Sequence, residues 1–82
     1  MNIDEIKKQL LEGVADILAK EPSELDASAM LFDLGLDSLG LVETFVFIEK
    51  NFGGLKLLET GIKKENMETL DALAAYIASL RQ

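Results

Sequence analysis

Residues 34–54 of the 82-residue chain read LGLDSLGLVETFVFIEKNFGG, and this stretch decides how the rest of the sequence is arranged. Its middle predicts a helix from Ser38 to Asn51, because apolar residues recur there at helical spacing. The apolar residues form two stripes on different faces, namely Phe45, Ile48 and Phe52, and Leu39, Val42 and Val46. A bundle of this size covers only one such face fully, so we expect the other to meet solvent or a partner.

Turn-forming residues bound this helix on both sides. Gly35 predicts a sharp turn before it, and Gly53-Gly54 predicts its end, because glycine readily takes the left-handed conformation that follows a helix. Upstream, residues 21–37 form a long connection, and connections of this length in small domains are often functional. Its apolar side chains are expected to pin it to the helices: Leu25, Leu31, Phe32 and Leu34.

Two further segments have the spacing of amphipathic helices. Residues 3–19 form the first, with Asn2 and Glu5 as a capping pair and Pro22 as the expected stop. The last helix is expected to begin near Thr69, a residue type that caps helices well. Its predicted apolar face consists of Leu70, Leu73, Ala74, Ile77 and Leu80.

The segment before the last helix, residues 55–66, is harder to interpret. Its apolar residues favour burial, but Gly61 and the cluster at 63–66 interrupt the pattern, so we expect a short irregular helical turn. The apolar residues in question are Leu55, Leu57, Leu58 and Ile62. The predicted fold class is therefore all-α. It is a small bundle of three main helices plus one short irregular helix, in a single domain over residues 1–82.

The amino-acid composition excludes several classes of function. The chain contains no cysteine and no histidine, so it lacks common metal ligands and the commonest general base. A hydrolase with Ser38 as its nucleophile is discarded for want of that base. We expect no catalytic residue, no metal site and no enzymatic activity.

The net charge of −7 restricts the partners. Residues 1–49 hold eleven acids and three lysines, whereas residues 50–82 hold four acids and five bases. Nucleic acid and anionic lipid both need a basic patch, so we expect neither as a partner. No apolar run approaches the roughly 18–20 residues of a membrane span, and the start at Asp4-Glu5 is unlike a signal peptide. The expectation is a soluble, cytoplasmic monomer.

Asp37-Ser38 lies where the long connection turns into the second main helix. The first N–H groups of a helix lack intrahelical partners and its N-terminal end is partially positive, so a phosphate attached to Ser38 would be favoured there. By itself the pair proves little, since serine or aspartate at a helix start is usually a cap. The flanking residues carry more information.

These flanks resemble the acyl carrier protein family, together with its peptidyl and aminoacyl carrier relatives. The family core, Leu-Gly-x-Asp-Ser-Leu, is matched by residues 34–39, and Val42-Glu43 and Glu49 through Phe52-Gly53 match the pattern downstream. Thr69-Leu70 resembles the family's threonine-started last helix. The likeness extends over about residues 3–78.

The resemblance implies a function. A separate phosphopantetheinyl transferase would attach 4′-phosphopantetheine from coenzyme A to Ser38, with Asp37 supporting the modification. The arm would carry acyl or aminoacyl groups as thioesters in fatty acid, polyketide or related biosynthesis. It would present them to acyl- or aminoacyl-transferring and -modifying enzymes with basic docking patches. Beside Asp37, the implied partner-binding residues are Leu39, Val42, Glu43, Val46 and Glu49.

Some residues depart from the pattern of the housekeeping fatty acid carriers. Gly40-Leu41 replace an acid and a small polar residue, and Lys50 interrupts the acidic run, which favours a specialised carrier. Phe45 and Phe47 are bulky for a helix that lines an acyl-accepting core, which favours a short or polar cargo. The alternative hypothesis is a small acidic helical adaptor for protein–protein contacts, in which Ser38 only caps its helix.

The charge distribution generates a first prediction. Acids crowded into residues 1–49 repel one another, and salt screens this repulsion over a Debye length of about 10 Å at 0.1 M. We expect the melting temperature, followed by circular dichroism, to rise from low to moderate salt and with divalent cations. A melting temperature that does not move would contradict the proposed crowding.

Overall fold

A computed structural model of the protein describes residues 2–80, apart from the side chain of Leu58. Four α-helices follow one another in this range: α1 (Ile3–Leu18), α2 (Leu31–Leu34), α3 (Ser38–Asn51) and α4 (Leu70–Leu80). Three 3₁₀ helices lie between them, at Pro22–Glu24, Leu57–Glu59 and Lys64–Met67. Residues 2–80 contain no strand, although Met30 and Thr69 form an isolated antiparallel bridge. The predicted all-α bundle with three main helices is confirmed.

Helix α1 is the centre of the bundle, since it packs against both α3 and α4. It begins as predicted, with Asn2 Oδ1 accepting a hydrogen bond of 2.9 Å from the N–H of Glu5. It ends at Leu18, where Ala19 adopts the left-handed conformation with φ 57°. The prediction that Pro22 stops this helix is wrong. Pro22 instead opens the first 3₁₀ helix, a position that its fixed φ and missing N–H suit.

One apolar core joins the three long helices. Its fully buried members include Ile6, Leu10, Val14, Leu31, Ile48, Phe52, Leu70, Leu73 and Ile77. The predicted face of α4 is buried except for Leu80, which lies in the last turn and is exposed. In the preceding segment Leu57 is buried and Leu55 and Ile62 are half-buried. The predicted burial of Leu58 concerns a side chain outside the described part of the chain.

The connection between α1 and α3 is more ordered than predicted, because it contains a 3₁₀ helix and the one-turn helix α2. Leu31 and Leu34 share a face of α2 and are buried, as residues three apart on a helix do. Phe32 lies on the other face and is 61% exposed, so the prediction that it pins the connection is wrong. The segment over residues 55–66 likewise forms parts of two 3₁₀ helices rather than one irregular turn.

Polar contacts hold the connection and the helix pair in place. The hydroxyl and the N–H of Ser28 both donate to Asp26 Oδ1, at 2.6 Å and 2.9 Å, and these bonds lower the pKa of Asp26. Lys7 Nζ lies 2.7 Å from Asp71 Oδ1 and so links α1 to α4. The hydrogen bond and the charge of Asp71 raise the pKa of Lys7. Within residues 2–80 no helix has both the length and the apolar character needed to cross a membrane.

Gly35, which ends α2, generates the second prediction. Its φ of 111° lies in the region that side-chain-bearing residues disfavour, while a Cβ there would only touch Leu18 Cδ2 at an ordinary 3.6 Å. Gly35→Ala should therefore lower the free energy of unfolding by about 1–2 kcal/mol through backbone strain alone. Urea denaturation measures the loss. Gly35→Asn is the matched control and should lose less, because asparagine tolerates positive φ better. Equal stability of Gly35→Ala and the wild type would contradict the prediction.

Candidate functional site

Ser38 is the first residue of α3 and its side chain is exposed. The chain reaches it through the left-handed turn at Gly35 and the buried side chain of Leu36. The hydroxyl of Ser38 forms no hydrogen bond with any other residue in the range 2–80. The fold therefore presents an unencumbered hydroxyl at the point where the connection enters the helix.

Asp37, and not Ser38, caps α3. Its Oδ1 accepts a hydrogen bond of 2.8 Å from the N–H of Gly40, and its carbonyl oxygen accepts one of 2.9 Å from the N–H of Leu41. The hypothesis that Ser38 serves only as a helix cap is wrong, because the capping position and the capping bond both belong to Asp37. The Ser38 side chain has no role in starting the helix.

Leu36 and Thr44 support the first turn of α3 through contacts with Gly40 that were not predicted from the sequence. A Cβ on Gly40 would lie only 2.8 Å from Leu36 Cδ2, so the missing side chain allows Leu36 to tuck beneath this turn. The buried hydroxyl of Thr44 donates to the carbonyl oxygen of Gly40 at 2.8 Å. Gly40 and Thr44, two small residues four apart, were the available signal, since they share a face of α3.

The electrostatics of this turn suit an attached phosphate. Asp37 satisfies the N–H of Gly40, whereas the N–H groups of Ser38 and Leu39 have no partner within the described part of the chain. Unpaired N–H groups at a helix N-terminus carry partial positive charge and favour an anion. A phosphodiester on Ser38 Oγ would be attached to the first residue of this helix N-terminus, so the residues present fit such a group.

The five predicted partner-binding residues on α3 lie on one exposed face. At 3.6 residues per turn they occupy an arc of about 120° around the helix axis. The apolar members are strongly exposed, Leu39 at 65%, Val42 at 56% and Val46 at 45%, and Glu43 and Glu49 flank them. The opposite face is buried through Gly40, Thr44 and Ile48. We call the exposed set the docking face. Of the two apolar stripes predicted for this helix, the one with Leu39, Val42 and Val46 is exposed. The other is buried at Ile48 and Phe52 and half-buried at Phe45.

The described residues form no metal-binding cluster near this site. Over residues 2–80 the structure brings together no group of three or more acidic side chains that would hold a metal ion. The arrangement offers a modifiable hydroxyl, two N–H donors and an apolar, acid-flanked helix face.

Comparisons with known proteins agree with this geometry. A protein-family model described as "Phosphopantetheine attachment site" matches residues 8–77, which include all of α2 and α3 and the turn between them. No curated protein and no solved structure matches the chain.

The capping bond generates the third prediction. Asp37→Ala removes the acceptor for the N–H of Gly40 and should lower the free energy of unfolding by about 1 kcal/mol. Asp37→Asn keeps an oxygen acceptor and removes the charge, so its stability should remain close to that of the wild type. Urea unfolding of the three proteins tests this. If both variants lose the same amount, the charge and not the hydrogen bond stabilises the turn.

Proposed function

The chain belongs to the phosphopantetheine attachment site family, and from this membership we propose that it carries acyl or aminoacyl groups as thioesters on an arm attached to Ser38. Domains of this family hold 4′-phosphopantetheine covalently and are carriers rather than catalysts. The assignment of the arm to Ser38, and of acyl or aminoacyl groups as the cargo, is our proposal.

The exposed, unbonded hydroxyl of Ser38 is the observation that carries the assignment. It lies on the first residue of α3, inside the matched range, and no hydrogen bond of the described structure has to be broken before it reacts. The Asp37 cap and the buried Leu36 hold it in one place on the surface. These features support an acceptor for an incoming enzyme, which must reach the oxygen from solvent.

The chain's own part in the modification is to supply the oxygen. Ser38 Oγ would form a bond to the phosphorus of coenzyme A that bears the pantetheine, the bond from that phosphorus to adenosine 3′,5′-bisphosphate would break, and the hydroxyl proton would pass to the transferase. The N–H groups of Ser38 and Leu39, which have no partner within residues 2–80, would supply partial positive charge near such a group. The bound group supplies a thiol, which a sequence without cysteine lacks. We assign Asp37 a supporting role: its capping bond to the N–H of Gly40 fixes the turn that carries Ser38, and its carboxylate would favour a metal ion carried by the transferase.

A family member of this kind interacts with a phosphopantetheinyl transferase and with biosynthetic enzymes. We assign these contacts to the docking face, whose apolar centre would be buried and whose Glu43 and Glu49 would meet basic groups. Fatty acid, polyketide or a related biosynthesis is the proposed pathway class, with a specialised role. A monomer of one domain over residues 1–82, acting in the cytoplasm, completes the proposal.

Intact mass after modification is the fourth prediction and tests the assignment. Co-expressed with a broad-specificity phosphopantetheinyl transferase, the wild type should gain the mass of one arm and Ser38→Ala should gain none. Ser23→Ala is the matched control, because Ser23 is also exposed at the start of a helical segment, and this variant should be modified like the wild type.

Two results would overturn the proposal: a wild type left unmodified by several such transferases, or a Ser38→Ala protein that still gains the arm. Circular dichroism shows whether Ser38→Ala is folded. The substitution removes no hydrogen bond of the described structure, so its helix content should not change.

A further inference from the structure

Residues 54–61 leave the end of α3 and lead towards α4, and we call them the strap. The 3₁₀ helix Leu57–Glu59 lies at its centre. A glycine with positive φ bounds the strap at each end, Gly54 at 78° and Gly61 at 83°. A Cβ at either glycine would meet no described atom within 4 Å, so the backbone there borders open space. Because glycine changes backbone conformation more freely than other residues, both ends of the strap can act as hinges.

Two surface cavities adjoin the strap. One has a volume of about 320 Å³ and separates part of the strap from the docking face, since it is lined by Lys56, Glu59 and four residues of α3, namely Val42, Phe45, Val46 and Glu49. The other, of about 610 Å³, is shared by the strap with Phe52 and Leu80, near the ends of α3 and α4. Lys56 and Glu59 line both cavities, so these two residues border open space instead of packed side chains.

Two contacts hold the strap against the helices. The side chain of Leu57 is 2% exposed and belongs to the apolar core. The hydroxyl of Tyr76, on α4, lies 2.7 Å from Thr60 Oγ1 and donates to the carbonyl oxygen of Thr60 at 3.3 Å. The hydrogen bonds donated by the N–H groups of Glu59 and Thr60 stay within the strap, as does the 3.9 Å ion pair of Lys56 with Glu59.

Release of the strap is therefore a much smaller event than unfolding. It exposes the side chain of Leu57 and breaks the contact between Tyr76 and Thr60, whereas unfolding exposes the whole core. Proteins open locally where few buried apolar contacts hold a segment, at a lower free energy than global unfolding.

We propose that the strap opens as a unit, with Leu57 leaving the core and the Tyr76 contact breaking while the three long helices stay packed. In the closed state Lys56 and Glu59 form one wall of the cavity beside the docking face, and opening removes that wall. On the proposed function, a partner that covers this cavity holds the strap closed, because it binds only the closed form. The opening itself does not depend on the proposed function.

Thiol labelling measures the opening. The chain has no cysteine, so Leu57→Cys carries a single thiol once intact mass shows that no arm is attached. N-ethylmaleimide reaches this thiol only while the strap is open, and intact mass follows the reaction. Val14→Cys is the matched control, because Val14 is fully buried on α1 and its thiol reacts only when the bundle unfolds.

The fifth prediction is that the Leu57→Cys thiol reacts at least about tenfold faster than the Val14→Cys thiol. Low urea should hardly change the rate of Leu57→Cys, since opening exposes little surface, but should raise that of Val14→Cys with the slope of global unfolding. Adding Tyr76→Phe to Leu57→Cys should raise its rate about two- to tenfold, the effect of one lost hydrogen bond. Adding Ser79→Ala, which removes another hydroxyl of α4, should leave the rate unchanged.

Amide hydrogen exchange of the wild type makes the test independent of the substitution at Leu57. An isolated helical turn is unstable in water, so the N–H groups of Glu59 and Thr60 exchange when the strap opens. Their exchange should be nearly independent of urea, whereas that of Ile48, within α3, should follow global unfolding. Tyr76→Phe should speed the exchange of Glu59 and Thr60 by the same factor as the thiol reaction, because one opening exposes all three groups.

Three results would each overturn the proposal. Equal rates and urea slopes for Leu57→Cys and Val14→Cys would mean that Leu57 is exposed only by unfolding. A Tyr76→Phe variant with unchanged rates would show that the hydroxyl does not hold the strap. Different factors for the thiol and the two amides would show that the segment frays residue by residue. Failure of the wild type to gain an arm would overturn the proposed function alone, since every measurement here uses the chain without the arm.

Discussion

The hydrogen bond from the N–H of Gly40 to Asp37 Oδ1 holds the start of α3, and the rest of the site depends on this start. Leu36 is buried beneath the same turn, in the space that the missing Gly40 side chain leaves. The buried side chain of Leu36 fixes the chain before Asp37, and the hydrogen bond between Asp37 and Gly40 fixes the chain on both sides of Ser38. Because the cap is Asp37, the serine hydroxyl is not needed to cap the helix, and it forms no hydrogen bond within residues 2–80.

Helix α3 has one apolar face that packs into the core and a second apolar face that is exposed. Ile48 on its inner face is fully buried and contributes to the core, while the outer face leaves Leu39, Val42 and Val46 exposed. Exposed apolar side chains are tolerated singly on most proteins, but a contiguous set marks a surface meant to be covered. Glu43 and Glu49 flank these side chains and place negative charge at the edges of the same face.

Several features were out of reach of sequence reasoning because they depend on what each residue meets in the folded chain. Phe32 is as apolar as Leu31, yet only the geometry of a one-turn helix decides which of the two faces the core. Ala19 ends α1 although Pro22 is the stronger local signal. The role of Gly40 became visible only once Leu36 was seen against it, since the close approach joins residues on opposite sides of a turn.

The sequence by itself determined the helices and the position of the serine. Helical periodicity, capping residues and glycine stops act over a few neighbouring residues, so Ser38–Asn51 and Leu70–Leu80 emerged with nearly their observed bounds. Tertiary structure alone decided which apolar stripe of α3 is buried and which side chains of α2 face the core. Those outcomes arise from contacts between residues distant in the chain, and burial and close packing are properties of that assembly rather than of any local pattern.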